Sequence, residues 1–198
     1  LSILKSEDCL PLTILELQSL RALFLLIVQI YSFVFFKFFH SIEYMKNTIS
    51  FNTKFGWISA TEINHKITRI QFNKAKNVGV FTKNLKNTKK KFLSYFQGKI
   101  REIKIPIKVI GKPIQKKIWN ELKKIPRGKT KSYGYIAKKL KISPRYVGKV
   151  CGENKHLLVI PCHRVIRSDG SLGGFSATSG VKLKEKLLKF ERLARLIH

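Results

Sequence analysis

From residue 46 onward, apolar and polar residues first alternate and then recur at helical spacing. The alternating segments are rich in Ile, Phe, Trp and Thr, and they predict short strands over residues 49–53, 56–61 and 66–72. In residues 84–97 the apolar side chains fall on one helical face, and Gly98 ends that helix. The pattern therefore predicts a small antiparallel sheet followed by one helix.

The second half of this region is helical in pattern. Residues 103–110 are extended, and Pro106 within them suits a linker or an edge strand, so we place a domain boundary after residue 106. Two short helices further on each begin at an N-cap serine, Ser132 and Ser143, and only three residues separate them, which predicts a helix-turn-helix. The predicted fold class is α/β. An apolar extension, a sheet-plus-helix domain and a mostly helical domain are expected over residues 1–45, 46–106 and 107–198.

Residues 1–45 differ from the rest because they contain an almost unbroken apolar run at residues 22–36. A membrane-spanning helix needs about 20 apolar residues, with a lower limit of roughly 17. Three interpretations are open: a signal anchor, a buried core helix, or an upstream reading-frame extension before a true start at Met45. We favour the extension, because a polar, strand-like stretch begins directly after that methionine. Membrane contact is expected only if residues 22–39 are native.

Charge is the strongest compositional feature. Lys and Arg number 40 against 11 Asp and Glu, which gives a net charge of +29. Three of those basic residues and four of the acidic ones lie in residues 1–45, so the whole excess belongs to residues 46–198. Such a surface attracts polyanions, nucleic acid above all, although an AT-rich coding sequence also raises the lysine content.

Cysteine usage narrows the class of protein further. The chain has 3 cysteines and no C-x-x-C pair. An odd, sparse set excludes a disulfide scaffold and predicts a reducing, cytoplasmic location. No structural zinc site is expected, since none of the usual ligand spacings occurs. A hydrophobic content of 44% excludes a disordered chain.

The most reactive candidate residues stand side by side. In residues 157–166, LLVIPCHRVI, four apolar residues lead through Pro161 to Cys162 and His163. This order predicts that Cys162 lies at the edge of the core and faces a cavity. An imidazole can take the proton of a thiol, and surrounding positive charge lowers the pKa of the thiol. The pair alone equally fits a buried structural cysteine beside a surface histidine.

Short motifs surround this pair in a fixed order. P-C-H-R-V occupies residues 161–165, and a Gly-Gly-aromatic-Ser loop occupies residues 173–176. The other motif positions are Gly111, Gln115, Ile118, Trp119, Ile125, Pro126, Gly128, Ser132, Tyr133, Arg145, Val147, Gly148, Asn154, Leu187, Leu188 and Glu191. In order and spacing, residues 46–192 resemble the O6-alkylguanine-DNA alkyltransferases, also called methylated-DNA–protein-cysteine methyltransferases.

The resemblance implies a DNA repair protein whose partner is double-stranded DNA containing O6-alkylguanine. Such a protein moves a methyl or alkyl group irreversibly onto its own cysteine, here Cys162, in a single turnover; activity on O4-alkylthymine is left open. The resemblance also implies a ribonuclease H-like first domain and a winged-helix-like second domain. No cofactor and no metal are expected, and the protein is expected to be a monomer.

The same resemblance assigns the catalytic roles. Cys162 attacks the alkyl carbon, and His163 relays the thiol proton through a water molecule. Glu191 orients His163, and Tyr133 donates a proton or a hydrogen bond to the leaving guanine. Arg164 is expected to link the two domains.

Substrate and DNA contacts are implied in the same way. The substrate-binding residues are Asn154, which braces the cysteine loop, Ser176, whose backbone N–H binds O6, and Phe175, where some relatives have Tyr. Arg145 takes the place of the flipped base, on a helix that enters the minor groove. The other two DNA-binding residues expected on that helix are Tyr146 and Lys149.

Two other classes of protein compete with this interpretation. The alkyltransferase-like proteins bind damaged DNA without transferring the alkyl group, and they lack the cysteine that Cys162 provides here. A helix-turn-helix transcription factor would not need a Cys-His pair with a distant Glu. The residues therefore favour alkyl transfer.

Overall fold

The computed structural model describes residues 23–25, 27–33 and 46–196. The chain divides into two compact units, Leu1–Tyr44 and Met45–His198. In the first unit the described residues are helical, with exposed apolar side chains such as Leu23 and Tyr31. Among the described residues, no helix has the length and apolar character needed to cross a membrane. The rest of residues 1–45 lies outside the described residues, so the three interpretations of that segment stay predictions.

The second unit begins with a three-stranded antiparallel sheet, as the alternating pattern predicted. Its strands are β1 (Lys46–Thr53), β2 (Gly56–Ile63) and β3 (Lys66–Gln71), in that order. In the register Phe51 pairs with Ile58, and Ala60 pairs with Ile70. These side chains are buried, so one face of the sheet forms the core while the other face is polar.

Helix α1 (Lys83–Phe96) packs against the buried face of this sheet. Its N-cap is Thr82, whose hydroxyl accepts a hydrogen bond from the backbone N–H of Leu85, and Gly98 follows its end with a φ of 80°. Phe92 has no exposed surface, and shortening it to Ala would cost roughly 3–5 kcal/mol. The predicted helix is confirmed, and its burial makes the sheet and helix one core.

The second half of this unit is mostly helical. The two helices on either side of the three-residue turn begin at the predicted caps, Ser132 and Ser143, whose hydroxyls accept from the backbone N–H groups of Tyr135 and Tyr146 at 3.0 and 3.2 Å. The helix-turn-helix is thus confirmed. The elements are helices α2 (Pro113–Lys123), α3 (Tyr133–Leu140), α4 (Pro144–Gly152) and α5 (Gly180–Leu196), strands β4 (Lys131–Ser132) and β5 (Val165–Ile166), which pair in parallel, and a 3₁₀ turn (Cys162–Arg164).

Backbone hydrogen bonds join the two halves of the unit. Strand β3 donates from the N–H of Ile70 to the carbonyl of Lys155 at 2.7 Å, and Ile70 accepts from the N–H of Leu157 at 3.3 Å. The segment around Pro106 forms an isolated parallel bridge to Ile67 on the same strand, through the carbonyl of Pro106 and the N–H of Lys108. The α/β class is confirmed, whereas the division after residue 106 stays a prediction.

Candidate active site

Cys162 lies where a buried loop turns into the 3₁₀ turn. The loop before it is apolar, and Leu158 within it adopts a φ of 70°. The Cys162 side chain is only 3% exposed, and its Sγ accepts a hydrogen bond of 3.1 Å from Nδ2 of Asn154. Asn154 also donates to the carbonyl of Ile160 at 2.8 Å, so one amide holds both the loop and the sulfur.

Cys162 is nevertheless part of the wall of a cavity of about 620 Å³. That volume is within the usual range for pockets that bind small molecules. Four other residues to which the resemblance assigned a site role line the cavity with the cysteine, namely Tyr133, Arg145, Phe175 and Ser176. The sulfur therefore faces a space that a small group attached to a base could enter.

Behind the cysteine, His163 and Glu191 form a fully buried pair. The Nε2 atom of His163 lies 2.7 Å from Oε1 of Glu191, and neither side chain is exposed. The other ring nitrogen, Nδ1, has no protein partner among the described residues. Since Glu191 holds Nε2, Nδ1 is the nitrogen free to exchange a proton.

Arg164 neutralises the same carboxylate. Its Nε donates to Oε2 of Glu191 at 2.9 Å, and its Nη2 donates to Oε1 at 3.1 Å. The third guanidinium nitrogen, Nη1, donates to the carbonyl of Ile125 at 2.6 Å. A bidentate pair of this kind fixes the carboxylate in direction as well as in charge.

Two further donors to Glu191 were not assigned from the sequence. The hydroxyl of Tyr95, on α1, donates to Oε1 at 2.5 Å, and the backbone N–H of Gly128 donates to Oε2 at 3.1 Å. Gly128 stands with Ile125 and Pro126 among the motif positions, and its N–H shows that this motif supplies a donor to Glu191. Tyr95 could have been suspected only from its place on the apolar face of α1, three residues after Phe92.

Tyr133 forms one side of the cavity at the start of α3. Its ring is half-buried, and Gly173 lies directly against it, so that a Cβ atom at Gly173 would be 3.1 Å from the ring. Gly173 also has a φ of 66°, which favours glycine. Burial raises the pKa of Tyr133 to about 12, with smaller contributions from Cys151 and Cys162. The phenol therefore keeps its proton at neutral pH and acts as a donor.

The three residues predicted to contact DNA differ in exposure. Arg145 and Lys149 are exposed on α4, and Arg145 also lines the mouth of the cavity. Tyr146 is partly buried and packs against the core. The structure thus places Arg145 beside the cysteine cavity, Lys149 on the exposed surface of α4, and Tyr146 against the core.

Comparison with known proteins agrees with this site. Residues 113–193 match the family model described as "6-O-methylguanine DNA methyltransferase, DNA binding domain". This part of the chain is similar to that family. The resemblance that the sequence motifs indicated is confirmed.

A relative from Sulfolobus acidocaldarius, named methylated-DNA–protein-cysteine methyltransferase, is 46% identical over 101 residues. The alignment covers 51% of this chain and 63% of the relative, so the chain spans less than two thirds of that protein's length. Among solved structures, the O6-methylguanine methyltransferase of Mycobacterium tuberculosis has a TM-score of 0.67 at 24% identity, covering 76% of this chain and 94% of its own. This likeness confirms the fold.

A second Mycobacterium tuberculosis structure, titled OGT in complex with DNA, is 25% identical. Its TM-score is 0.65, and the match covers 74% of this chain and 93% of that one.

In this site, burial decides the charge of the reactive groups. Burial raises the pKa of Cys162, although the Asn154 hydrogen bond and the cation of Lys184 act against it. Burial also lowers the pKa of His163 below its usual value, against the attraction of Glu191. For Glu191 burial raises the pKa, but His163 and Arg164 outweigh it and the pKa falls.

At neutral pH the resting site therefore holds a thiol, a neutral imidazole and a carboxylate. The expectation that positive charge leaves the thiol with a lowered pKa is not met, because burial is the larger effect. A neutral imidazole beside a protonated thiol is the arrangement in which His163 can act as a base.

Lys184 is a second residue that sequence reasoning missed. It lies on α5 with no exposed surface, and its Nζ donates to the carbonyl of Val165 at 2.6 Å, to that of Gly174 at 3.3 Å and to that of Leu172. Nζ is also 3.5 Å from the hydroxyl of Tyr133. Burial lowers the pKa of Lys184 to about 8, so a cation lies beside the cavity at neutral pH.

The described residues contain no group of three or more His, Cys, Asp or Glu side chains arranged to hold a metal ion. Cys151, the other described cysteine, also lines the cavity, and burial raises its pKa. Its position on α4 beside the cavity makes it part of the pocket wall.

Proposed function

We propose that this protein repairs DNA by transferring a methyl or alkyl group from O6 of guanine to Cys162, irreversibly and once per molecule. The observation that carries the proposal is the place of Cys162: in the wall of a cavity, next to a buried histidine that a carboxylate orients. The named activity of the Sulfolobus acidocaldarius relative supports it. Because the alignment spans 63% of that relative, the activity of the whole protein is a proposal.

The chemical step is an in-line displacement. A bond forms between Sγ of Cys162 and the alkyl carbon while the bond between that carbon and O6 breaks, and guanine leaves with the electron pair. The thiol proton passes through a water molecule to Nδ1 of His163, which has no protein partner among the described residues. Glu191, on Nε2, fixes the tautomer and stabilises the imidazolium that forms.

Other cavity residues would receive the leaving group and hold the base. The hydroxyl of Tyr133, which is protonated at neutral pH, gives a proton or a hydrogen bond to the guanine anion. The backbone N–H of Ser176 binds O6, and Phe175 bounds the pocket, its ring 6.4 Å from that of His163. Asn154 braces the sulfur.

DNA would bind through the helix-turn-helix. Arg145, at the mouth of the cavity, would replace the flipped base in the stack, while Lys149 contacts phosphates and Tyr146 supports the helix. A helix in the minor groove grips DNA without reading its sequence, which suits repair because damage can arise anywhere. The related structure in complex with DNA supports DNA as the partner.

Finer statements about the fold and the protein's state belong with this proposal. The sheet and α1 would form a ribonuclease H-like domain, and the short β4–β5 pair beside the helix-turn-helix would form a winged-helix-like one. The proposed protein is a cytoplasmic monomer that needs no dissociable cofactor. Light scattering of the purified protein, alone and with DNA, tests the monomer.

Intact mass measurement tests the function. After incubation with duplex DNA containing O6-methylguanine, we expect each chain to gain one methyl group, in proportion to the lesion supplied. The Cys162→Ala variant should bind the same DNA and gain no mass. Lesion binding without any mass gain in the wild-type protein would reject transfer and favour an alkyltransferase-like binding protein.

A further inference from the structure

The carboxylate of Glu191 accepts a hydrogen bond from the sheet-and-helix half of the unit. Tyr95 lies on α1, packed behind the sheet, and is only 2% exposed. Its hydroxyl donates to Oε1 of Glu191 at 2.5 Å, the same oxygen that faces Nε2 of His163 at 2.7 Å. Two donors on one oxygen compete for its electron density, so the bond from Tyr95 affects the bond to His163.

We propose that Tyr95 is a positioning residue that governs, through Glu191, how readily His163 takes the proton of Cys162. The proposal rests on the proposed function, because it assigns a role within the transfer reaction. It also gives the sheet-and-helix half a chemical part in a reaction whose reactive atoms all lie in the second half.

The ring of Tyr95 is held in place independently of its hydroxyl. The guanidinium of Arg127 lies 4.5 Å from the centre of the Tyr95 ring and 4.8 Å from that of Phe190. Phe96 and Phe190 both pack edge-on against Tyr95. A phenylalanine would keep these contacts, so packing alone does not require the hydroxyl.

Satisfying the charge of Glu191 does not require the hydroxyl either. Arg164 already makes two hydrogen bonds to this carboxylate, and the N–H of Gly128 and His163 add two more. What the Tyr95 hydroxyl changes is the strength of Oε1 as an acceptor. When that hydroxyl is removed, Oε1 carries more negative charge towards His163 and stabilises the imidazolium better.

The direction of the effect follows from all the charged groups near His163. Burial has the largest effect and lowers the pKa of His163. Glu191 raises this pKa, and the cations of Arg164 and Lys184 lower it further. The guanidinium of Arg127 lies over the ring of Tyr95, and Cys162 directly precedes His163 in the chain. Removing the Tyr95 hydroxyl takes away an acceptor that lies 3.3 Å from Nη2 of Arg164, but it leaves every one of these charged groups in place, so the pKa of His163 should rise.

The first test compares wild type with Tyr95→Phe by following the imidazole of His163 in NMR spectra from about pH 4.5 to about pH 8. We expect its titration to move to higher pH in the variant. Replacing Tyr95 by 3-fluorotyrosine, whose phenol is more acidic, should move it to lower pH. A residue that only fills space would give neither shift, so identical titrations in all three proteins would overturn the proposal.

The second test measures the single-turnover rate of methyl transfer against pH. Neutral His163 is needed as the base, so the acidic limb of the profile should move up in Tyr95→Phe, with up to about a tenfold loss of rate at the acidic end. Thr88→Val is the matched control, because Thr88 is a fully buried residue of the same helix and its hydroxyl has no hydrogen-bond partner among the described residues. Its profile should equal that of wild type.

The two tests separate the two proposals. Absence of transfer in wild type at every pH would reject the proposed function, and the NMR titrations would still decide the role of Tyr95. Normal transfer with an unmoved acidic limb in Tyr95→Phe would reject the role of Tyr95 and leave the function standing.

Discussion

Asn154 and Cys162, eight residues apart in the chain, are joined by a hydrogen bond of 3.1 Å from the amide nitrogen to the sulfur. The same amide nitrogen bonds the carbonyl of Ile160, and the amide oxygen accepts from the N–H of His156 at 2.9 Å. Asn154 therefore both fixes the loop before the cysteine and supplies a donor to the sulfur that becomes negative in the proposed transfer.

Asn154→Asp removes the amide donor that the sulfur and the carbonyl of Ile160 share. Aspartate keeps the oxygen that accepts from His156 but loses the donor and adds a negative charge beside Sγ, so the thiolate is disfavoured. We expect transfer to slow by roughly ten- to a hundredfold at neutral pH, the loss for one hydrogen bond to a charged group. Stopped-flow measurement of single-turnover transfer provides the rate. A rate within twofold of wild type would contradict this role.

Lys184→Met removes the buried cation next to the cavity. The carbonyls of Val165, Leu172 and Gly174 lose their shared donor, so the loop that carries Phe175 and Ser176 should loosen. We expect about a tenfold slower transfer, by analogy with the loss of one buried hydrogen-bond donor. Lys182→Met, an exposed lysine two residues earlier on α5, is the control and should transfer at the wild-type rate. Equal rates for both variants would contradict the prediction.

The sheet, α1 and the helix-turn-helix could be predicted because each is encoded locally. Alternation along 49–53 and its neighbours, and N-cap serines such as Ser132 and Ser143, depend on residues only a few positions apart. The placement of Glu191 needed more, since no local pattern separates it from an ordinary solvated helix residue. It was found through its place in a family motif.

Tyr95 and Lys184 could not be found from the sequence. Tyr95 bonds a residue 96 positions away, a contact that only the folded chain creates. Lys184 lies among other lysines on α5, in a pattern typical of a solvated helix face, and is buried only because the loop at residues 172–174 closes over it. Burial also reversed the expected direction of the shift in the pKa of Cys162.

Arg145→Ala and Lys149→Ala should fail in different ways. Arg145 lies at the cavity mouth, so its loss should slow transfer from duplex DNA while sparing transfer from a single-stranded oligonucleotide, which needs no base flipping. Lys149 is exposed on α4, so its loss should weaken DNA binding and lower by about one the number of ions released on binding, which the salt dependence of the binding constant measures. The rate of transfer at saturating DNA should not change. Transfer rates on both substrates and binding titrations over a range of salt separate the two. The same response in both variants would refute the assignment.

Stability should fall in mild acid because of His156. This side chain is 3% exposed, with Nε2 3.3 Å from the carbonyl of Ile67, and burial lowers its pKa to about 4. In the unfolded chain His156 is protonated below about pH 6.5, whereas in the folded protein it is protonated only below about pH 4. Its contribution to the free energy of unfolding is therefore fully present above pH 6.5 and is lost as the pH falls towards 4. The loss should be roughly 2–3 kcal/mol, and His163 adds to it in the same direction.

His156→Gln tests this origin, because glutamine can still bond the carbonyl of Ile67 but does not titrate. Urea unfolding at about pH 7 and about pH 4.5 should show a smaller loss of stability in the variant than in wild type. His65→Asn is the control: His65 is exposed in the β2–β3 turn with a φ of 58°, which asparagine tolerates, so its pH dependence should match wild type. An equal loss in wild type and His156→Gln would mean that other groups, with Glu191 the first to consider, carry the acid sensitivity.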